Sequence, residues 1–147
     1  MNRSKKIASF RDLEIYQESY NAAIMVIKRI IPKLPLEEKY DLGSQLRRSV
    51  KAIPRLIAEG YSKRHQTKGF QKYLDDALAE SNETIVSLSQ VRDIYGVETD
   101  FCNKLINEYE IISRQIYRLT LIWESFGKRK RPTSQPKPND HNIEEVK

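Results

Sequence analysis

Apolar residues recur along the first part of the chain at the spacing of an α-helix. From Phe10 onward they follow one another at intervals of three or four residues. The predicted core-facing residues of this first helix are Leu13, Tyr16, Tyr20, Ile24, Ile27 and Ile31. Such a stripe is typical of a helix that packs one face against a core. Ser9 and Asp12 favour a capping arrangement at its start, and Pro32 and Pro35 bring it to an end.

A second helix is predicted over residues 36–60, with an apolar arc on one side and a basic arc on the other. The apolar arc is expected to face the core and contains Leu42, Leu46, Val50, Ile53, Leu56 and Ile57. Pro54 lies within this pattern and lacks the amide hydrogen that would bond the carbonyl of Val50. Because the apolar spacing continues beyond Pro54, we expect a kink there and place the end of the helix at Gly60.

Two more helices follow from the same periodicity. The third is expected to begin at Thr67 as its cap, to end at Gly96, and to carry small residues such as Ser81 that let a neighbouring helix approach closely. The fourth begins at Thr99 or Asp100 and has apolar residues at alternating intervals of four and three. These residues are Leu105, Tyr109, Ile112, Ile116, Leu119, Trp123 and Phe126. Ile106, Ile111, Leu121 and Ile122 widen this face, part of which is expected to meet another subunit.

Four long helices with short connections and no strand pattern predict an all-α, up-and-down four-helix bundle. A chain of 147 residues suits one such core. The predicted organisation is a flexible N-terminus over residues 1–9, the bundle over residues 10–126, and a disordered, basic, proline-containing tail over residues 127–147. No segment resembles a signal peptide or a transmembrane helix, and Cys102 is the only cysteine, so a cytoplasmic location away from membranes is expected.

The distribution of charge adds a candidate site to this picture. The formal net charge is +6, and half of it lies after Phe126. In the folded part, cations cluster on the second helix and in the connection that follows it. On a helical wheel the helix cations form one ridge opposite the apolar arc, with Tyr40 on the same side. The candidate nucleic-acid-binding residues are Arg47, Arg48, Lys51, Arg55, Lys63 and Arg64.

A row of guanidinium and ammonium groups favours binding to phosphates whatever the base sequence, since such binding releases the counterions condensed on the nucleic acid. The alternative is a solvated helix face whose cations pair with acids of the third helix. Those acids are Asp75, Asp76, Glu80 and Glu83. The basic run from Lys128 to Arg131 either extends the electrostatic footprint, acts as a nuclear import signal, or keeps the tail soluble.

Patterns of catalytic and metal-binding residues do not appear in the sequence. It contains no glycine-rich phosphate loop, no GxSxG turn and no HExxH helix. His65 and His141 have no cysteine or second histidine at ligand spacing. We therefore expect no enzymatic activity, no metal site and no cofactor.

Four segments of the chain resemble a bacterial protein family. They read FRDLEIY from Phe10, LPLEEKYDL from Leu34, QLRRS from Gln45 and IPRLIAEGYSKR from Ile53. In these segments the chain resembles the four-helix-bundle proteins encoded in intervening sequences of 23S ribosomal RNA genes. The resemblance implies a cytoplasmic homopentameric ring without catalytic residues, for which nucleic-acid binding is the usual proposal.

The same fold is shared by the accessory variability determinant of diversity-generating retroelements, a basic pentamer that binds RNA or DNA and a reverse transcriptase. The resemblance thus implies RNA or DNA and a reverse transcriptase as partners. The chain departs from the family pattern at two pairs of residues: Arg55 and Leu56 replace a small polar pair, and Glu80 with Ser81 replaces a glycine-serine pair. Arg55 adds to the basic ridge, and Leu56 is expected to substitute apolar packing for a hydrogen bond between subunits.

Two functional hypotheses follow from the sequence. The first is a non-catalytic, oligomeric nucleic-acid-binding accessory protein that contacts phosphates and serves a reverse transcriptase. The alternative is a structural or protein-interaction scaffold without nucleic-acid binding, in which the basic ridge serves an acidic protein.

Overall fold

The computed structural model describes residues 6–129, with side chains as far as residue 125. It contains four long helices, namely α1 (Glu14–Met25), α2 (Leu42–Ser62), α3 (Gly69–Gln90) and α4 (Thr99–Arg129). Each helix packs against the next one, and α1 also packs against α4. This order of contacts is that of an up-and-down four-helix bundle. The predicted all-α class is confirmed, since residues 6–129 form no strand.

The first helix begins later than the sequence predicted. Ser9 and Asp12 do form a capping box, in which the Ser9 amide donates to the Asp12 carboxylate at 3.0 Å. The box caps a 3-10 turn (Phe10–Asp12), and α1 itself begins at Glu14. The isolated turn uses the cap because Leu13, in extended conformation, separates it from the helix.

The face of α1 that enters the core also differs from the predicted one. Tyr20 is 50% exposed, and Tyr16, Ile24 and Ile27 are only partly buried. The buried residues of α1 and of the π-helical segment that continues it are Ile15, Ser19, Ala22, Ala23, Val26 and Ile30. Serine and alanine on this face let the neighbouring helices come close, which larger side chains would prevent. Of the predicted stripe, Leu13 is buried, and Tyr16, Ile27 and Ile31 pack against the edge of the core.

On α2 the predicted apolar arc does face the core. Five of its residues are almost fully buried, namely Leu42, Leu46, Val50, Ile53 and Ile57. Leu56 is partly buried and packs against the same core. The helix begins at Leu42 because a separate 3-10 turn (Leu36–Glu38) precedes it, and it continues through Pro54 as predicted.

Gly60 lies inside α2, although the sequence placed the end of the helix there. A Cβ atom at this position would lie 2.6 Å from Cβ of Tyr73 and 3.1 Å from Cδ1 of Phe70, both on α3. Glycine is therefore required for the close approach of the two helices. The helix ends two residues later, at Ser62.

The boundaries of α3 and α4 agree with the sequence at two of four points. Lys68, with a φ of 58°, precedes α3, so Thr67 is not its cap. Gly96, with a φ of 60°, ends the π-helical segment that continues α3, as predicted. Thr99 begins α4, as predicted. The helix runs to Arg129, past the expected end at Phe126, so the chain is still helical where the predicted tail would start. Residues 1–5 of the predicted N-terminus and residues 130–147 of the predicted tail lie outside the described part.

Small polar residues hold α3 and α4 together. The Ser81 hydroxyl lies 2.7 Å from that of Ser113 and donates to the carbonyl of Tyr109 at 3.2 Å. All three residues are buried, and Ile112 and Ile116 of the predicted stripe are buried beside them. The close approach predicted at Ser81 is confirmed.

Candidate nucleic-acid interface

Three cations form one row on the exposed side of α2, which we call the basic row: Arg47, Lys51 and Arg55. They follow one another at intervals of four residues, and all three are exposed, opposite the buried arc. At a rise of 1.5 Å per residue, the row spans about 12 Å along the helix. Among the described side chains, no acid forms an ion pair with any of the three. Their donors are therefore available to a ligand.

Arg48 lies beside the basic row but contacts α3. Its Nη2 donates to Oε1 of Glu83 at 3.2 Å. The two side chains are 70% and 40% exposed, so solvent screens the pair and its contribution to stability is small. The sequence left open whether the cations of α2 pair with acids of the third helix. Within the described residues this pairing occurs for Arg48 and for no member of the basic row.

Glu80, next to this ion pair, is partly buried and has an altered pKa. Burial raises the pKa of its carboxyl, the charge of Glu83 raises it further, and Arg48 opposes these effects. Asp75 and Asp76 on the same helix are exposed. None of these three acids forms an ion pair with a member of the basic row.

Lys63 and Arg64 lie beyond the end of α2 and are engaged with tyrosines. The Lys63 ammonium donates to the Tyr73 hydroxyl at 2.5 Å, which raises the pKa of Lys63. The Arg64 guanidinium lies 4.1 Å above the ring of Tyr61 and donates to its carbonyl at 2.9 Å. Arg64 is still exposed, whereas Lys63 is half-buried. These two cations are held in place, in contrast to the three free cations of the basic row.

Aromatic residues that the sequence assigned to the core lie next to the basic row. Lys51 and Arg55 line a groove between α1 and α2 together with Tyr16 and Tyr20. We call it the α1–α2 groove; its volume is about 340 Å³, and Phe10, Ile24 and Pro54 also line it. The sequence identified the cations but missed these aromatics. The sequence does contain a sign of their position. The apolar stripe of α1 consists of residues that are too large for a close contact between two helices.

A second groove lies on the other side of α1, between α1 and α4, and differs in charge. This α1–α4 groove, of about 460 Å³, is lined by apolar residues, among them Met25 and Ile111, and by the carboxylates of Glu18 and Glu108. Burial raises the pKa of Glu18, a hydrogen bond with Gln115 opposes this, and the charges of Glu14 and Glu108 add to it. The two grooves that flank α1 therefore have rims of opposite sign.

The described residues contain one cysteine and one histidine that could take part in chemistry, Cys102 and His65. Between residues 6 and 129, no group of three or more His, Cys, Asp or Glu side chains is placed to hold a metal ion. Cys102 is buried, its thiol contacts the carbonyl of Val97 at 3.4 Å, and burial raises its pKa. His65 is exposed. In the same part of the chain, no helix combines the length and hydropathy that crossing a membrane requires.

Comparison with known proteins identifies a family for this bundle. The model of the 23S rRNA-intervening sequence protein family matches residues 11–118. The match includes α1, α2, α3 and most of α4, and thus every residue of the basic row and all residues of both grooves except Phe10. Comparisons with curated proteins and with solved structures give no match. The chain belongs to the family of 23S rRNA-intervening sequence proteins.

Proposed function

We propose that the protein is a non-catalytic, oligomeric accessory protein that holds RNA or DNA by its phosphates. The observation that carries this proposal is the basic row, because Arg47, Lys51 and Arg55 are exposed on one face without an acidic partner among the described side chains. Cations in this state can donate to phosphate oxygens without first breaking an ion pair. Each phosphate they neutralise releases counterions, which drives association.

The other three candidate residues take secondary parts in the proposal. Arg48 would have to share its guanidinium between Glu83 and a phosphate. Lys63 and Arg64 are held by Tyr73 and Tyr61, so they extend the positive potential beyond the end of α2 from fixed positions. Their contribution is expected to be smaller for each residue than that of the basic row.

Self-association is part of the proposed function. The α1–α4 groove is apolar, and Ile111, Leu121 and Ile122 on α4 are 37%, 47% and 45% exposed. We propose a second copy of the chain as the occupant of this surface and, by family resemblance, a homopentameric ring as the assembly. A ring would present several basic rows to one nucleic-acid strand, which raises affinity through effective concentration.

The partner proposed for this assembly is a reverse transcriptase, by similarity to the accessory variability determinant of diversity-generating retroelements. The proposed location is the cytoplasm, where a bacterial cell keeps its RNA and DNA. A reverse transcriptase gene next to the gene of this protein would support that partner, whereas a gene inside a ribosomal RNA operon would favour the role of an intervening-sequence protein.

The proposal is tested by fluorescence anisotropy with labelled single-stranded and duplex RNA and DNA over a series of salt concentrations. The full chain is expected to bind, with an affinity that falls steeply as salt increases. A full-length variant with glutamine at Lys128, Arg129, Lys130 and Arg131 is expected to keep this binding. Binding that disappears in this variant would assign the contacts to the basic run and contradict the role of α2.

A protein-interaction scaffold is the second candidate function, and the α1–α4 groove favours it. The carboxylates of Glu18 and Glu108 on its rim repel phosphates and suit a protein surface. If the full chain assembles but binds none of the four nucleic acids at low salt, the scaffold replaces the first proposal.

A further inference from the structure

The α1–α2 groove contains a row of aromatic rings that is open to solvent. The rings of Phe10 and Tyr16 meet edge to face at 4.9 Å, and those of Tyr16 and Tyr20 lie 5.8 Å apart at 33°. Tyr20 is 50% exposed. Its neighbours in the row restrict the ring, which lowers the entropy lost when a flat ligand stacks on it. The row is thus a preformed platform for a planar group.

The charge of the groove favours a polyanion over a protein. Lys51 and Arg55 line it from α2, and no acidic side chain does so among the described residues. The α1–α4 groove provides the contrast within the same molecule, since Glu18 and Glu108 line it. An apolar aromatic platform beside two free cations is the combination that proteins use for single-stranded nucleic acids, in which a base stacks and the backbone is neutralised.

We infer that the α1–α2 groove receives an unpaired base of a single-stranded nucleic acid, which stacks on Tyr20 while Lys51 and Arg55 contact the adjoining phosphates. This inference rests on the proposed function and specifies its ligand. The volume of about 340 Å³ is at the lower end of the range of small-molecule sites, which is large enough for one base. Duplex bases are stacked on one another and are unavailable to Tyr20, so the groove distinguishes single strands from duplexes. Because every base has a flat face, the groove tolerates any sequence.

The test uses the full chain and three labelled ligands of equal length, namely oligouridine, an abasic strand with the same number of phosphates, and an RNA duplex. The variant Tyr20→Ala is expected to bind oligouridine about fivefold or more weakly, which is the loss that removal of one stacked base produces. Its affinity for the abasic strand and for the duplex is expected to stay unchanged. Tyr20→Phe keeps the ring and is expected to bind like the original protein.

Tyr117→Ala is the matched control, because Tyr117 is a tyrosine of similar exposure, 55%, on α4. It is expected to leave the binding of all three ligands unchanged. An equal loss for oligouridine in both variants would contradict a specific platform at Tyr20.

Three outcomes would overturn this inference, and the first of them leaves the proposed function intact. If Tyr20→Ala binds oligouridine as tightly as the original protein, while charge reversal of the basic row abolishes binding, the proposed stacking on Tyr20 is wrong. The proposed binding of phosphates by the basic row then remains valid. If the original protein binds none of the ligands, both proposals are wrong. A Tyr20→Ala variant with a smaller mass in sedimentation velocity and equally weakened binding of all three ligands would identify the groove as a subunit interface and overturn the inference.

Discussion

Lys51 on α2 and Tyr20 on α1 line the same groove, so a free cation and a half-exposed aromatic ring lie side by side there. Neither helix contains this combination by itself. The pairing depends on the rotation of α1, which turns its small residues towards the core and its tyrosines towards α2. The candidate interface is therefore a property of two packed helices.

The close contact between α2 and α3 at Gly60 predicts that a larger residue at this position destabilises the fold. Gly60→Ala would place a Cβ atom 2.6 Å from that of Tyr73, and neither backbone can move without disturbing the core. We expect the free energy of unfolding, measured by urea denaturation, to fall by about 1–3 kcal/mol. Ser44→Ala, at an exposed position of the same helix, is the control and is expected to be neutral or slightly stabilising. A Gly60→Ala protein as stable as the original would contradict this packing.

The raised pKa of Glu18 predicts an effect that depends on pH. Since burial raises the folded-state pKa above the usual 4.5, ionised Glu18 destabilises the fold at neutral pH, and this penalty is lost as the pH falls through the raised pKa. Glu18→Gln is therefore expected to raise the urea midpoint at pH 7 and to leave it nearly unchanged at pH 4. The control Glu110→Gln changes an exposed carboxylate of α4 outside both grooves. An equal gain for Glu18→Gln at both pH values would rule out ionisation as the cause.

The α1–α4 groove predicts how self-association can be broken. Ile111 lines this groove and is 37% exposed, so Ile111→Arg adds a charge to the surface without entering the core. The original chain is expected to sediment as a pentamer with five times its mass of 17.3 kDa, and the variant as a smaller species. Val86→Arg, at a 57% exposed position of α3, is expected to leave the assembly intact. A monomeric original chain would contradict the proposed assembly, and an intact Ile111→Arg pentamer would assign the interface to another surface.

The ion pair between Arg48 and Glu83 predicts that two adjacent arginines contribute unequally to binding. Arg47→Gln is expected to reduce the slope of log K against log salt by about 0.9 for a duplex, the value of one phosphate contact. Arg48→Gln is expected to reduce it less, because Glu83 already holds this guanidinium. Glu83→Gln frees Arg48 and is expected to increase affinity. Equal slopes for the two arginine variants would show that the ion pair has no influence on binding.

Much of the fold can be predicted from the sequence, because three of the four helices have one dominant stripe. On α2, large apolar residues such as Leu46 and Ile53 lie on one side and cations on the other, so the buried face is unambiguous. On α1, two stripes compete, and hydrophobicity favours the one with Tyr20. Packing favours the other one, since Ser19 and Ala22 permit a closer approach of the helices.

The candidate site could be predicted only in part for the same reason. The basic row lies within one helix, so helical periodicity is enough to place its three cations on one face. The ion pair of Arg48 with Glu83 and the position of Tyr20 beside Lys51 each join two helices. Such contacts depend on how far each helix is rotated about its axis, which the periodicity of a single helix does not determine.

Charge reversal of the basic row, measured by anisotropy with labelled single-stranded RNA at low salt, tests most directly whether α2 holds the phosphates. The variant changes Arg47, Lys51 and Arg55 to Glu, and its control changes three exposed cations of α4, Lys104, Arg114 and Arg118, to Glu. Both variants lose the same net charge, and circular dichroism checks that both remain helical. We expect reversal of the basic row to abolish binding and the control to retain most of it. Unchanged binding by the folded basic-row variant, or an equal loss in the control, would contradict the claim that α2 holds the phosphates.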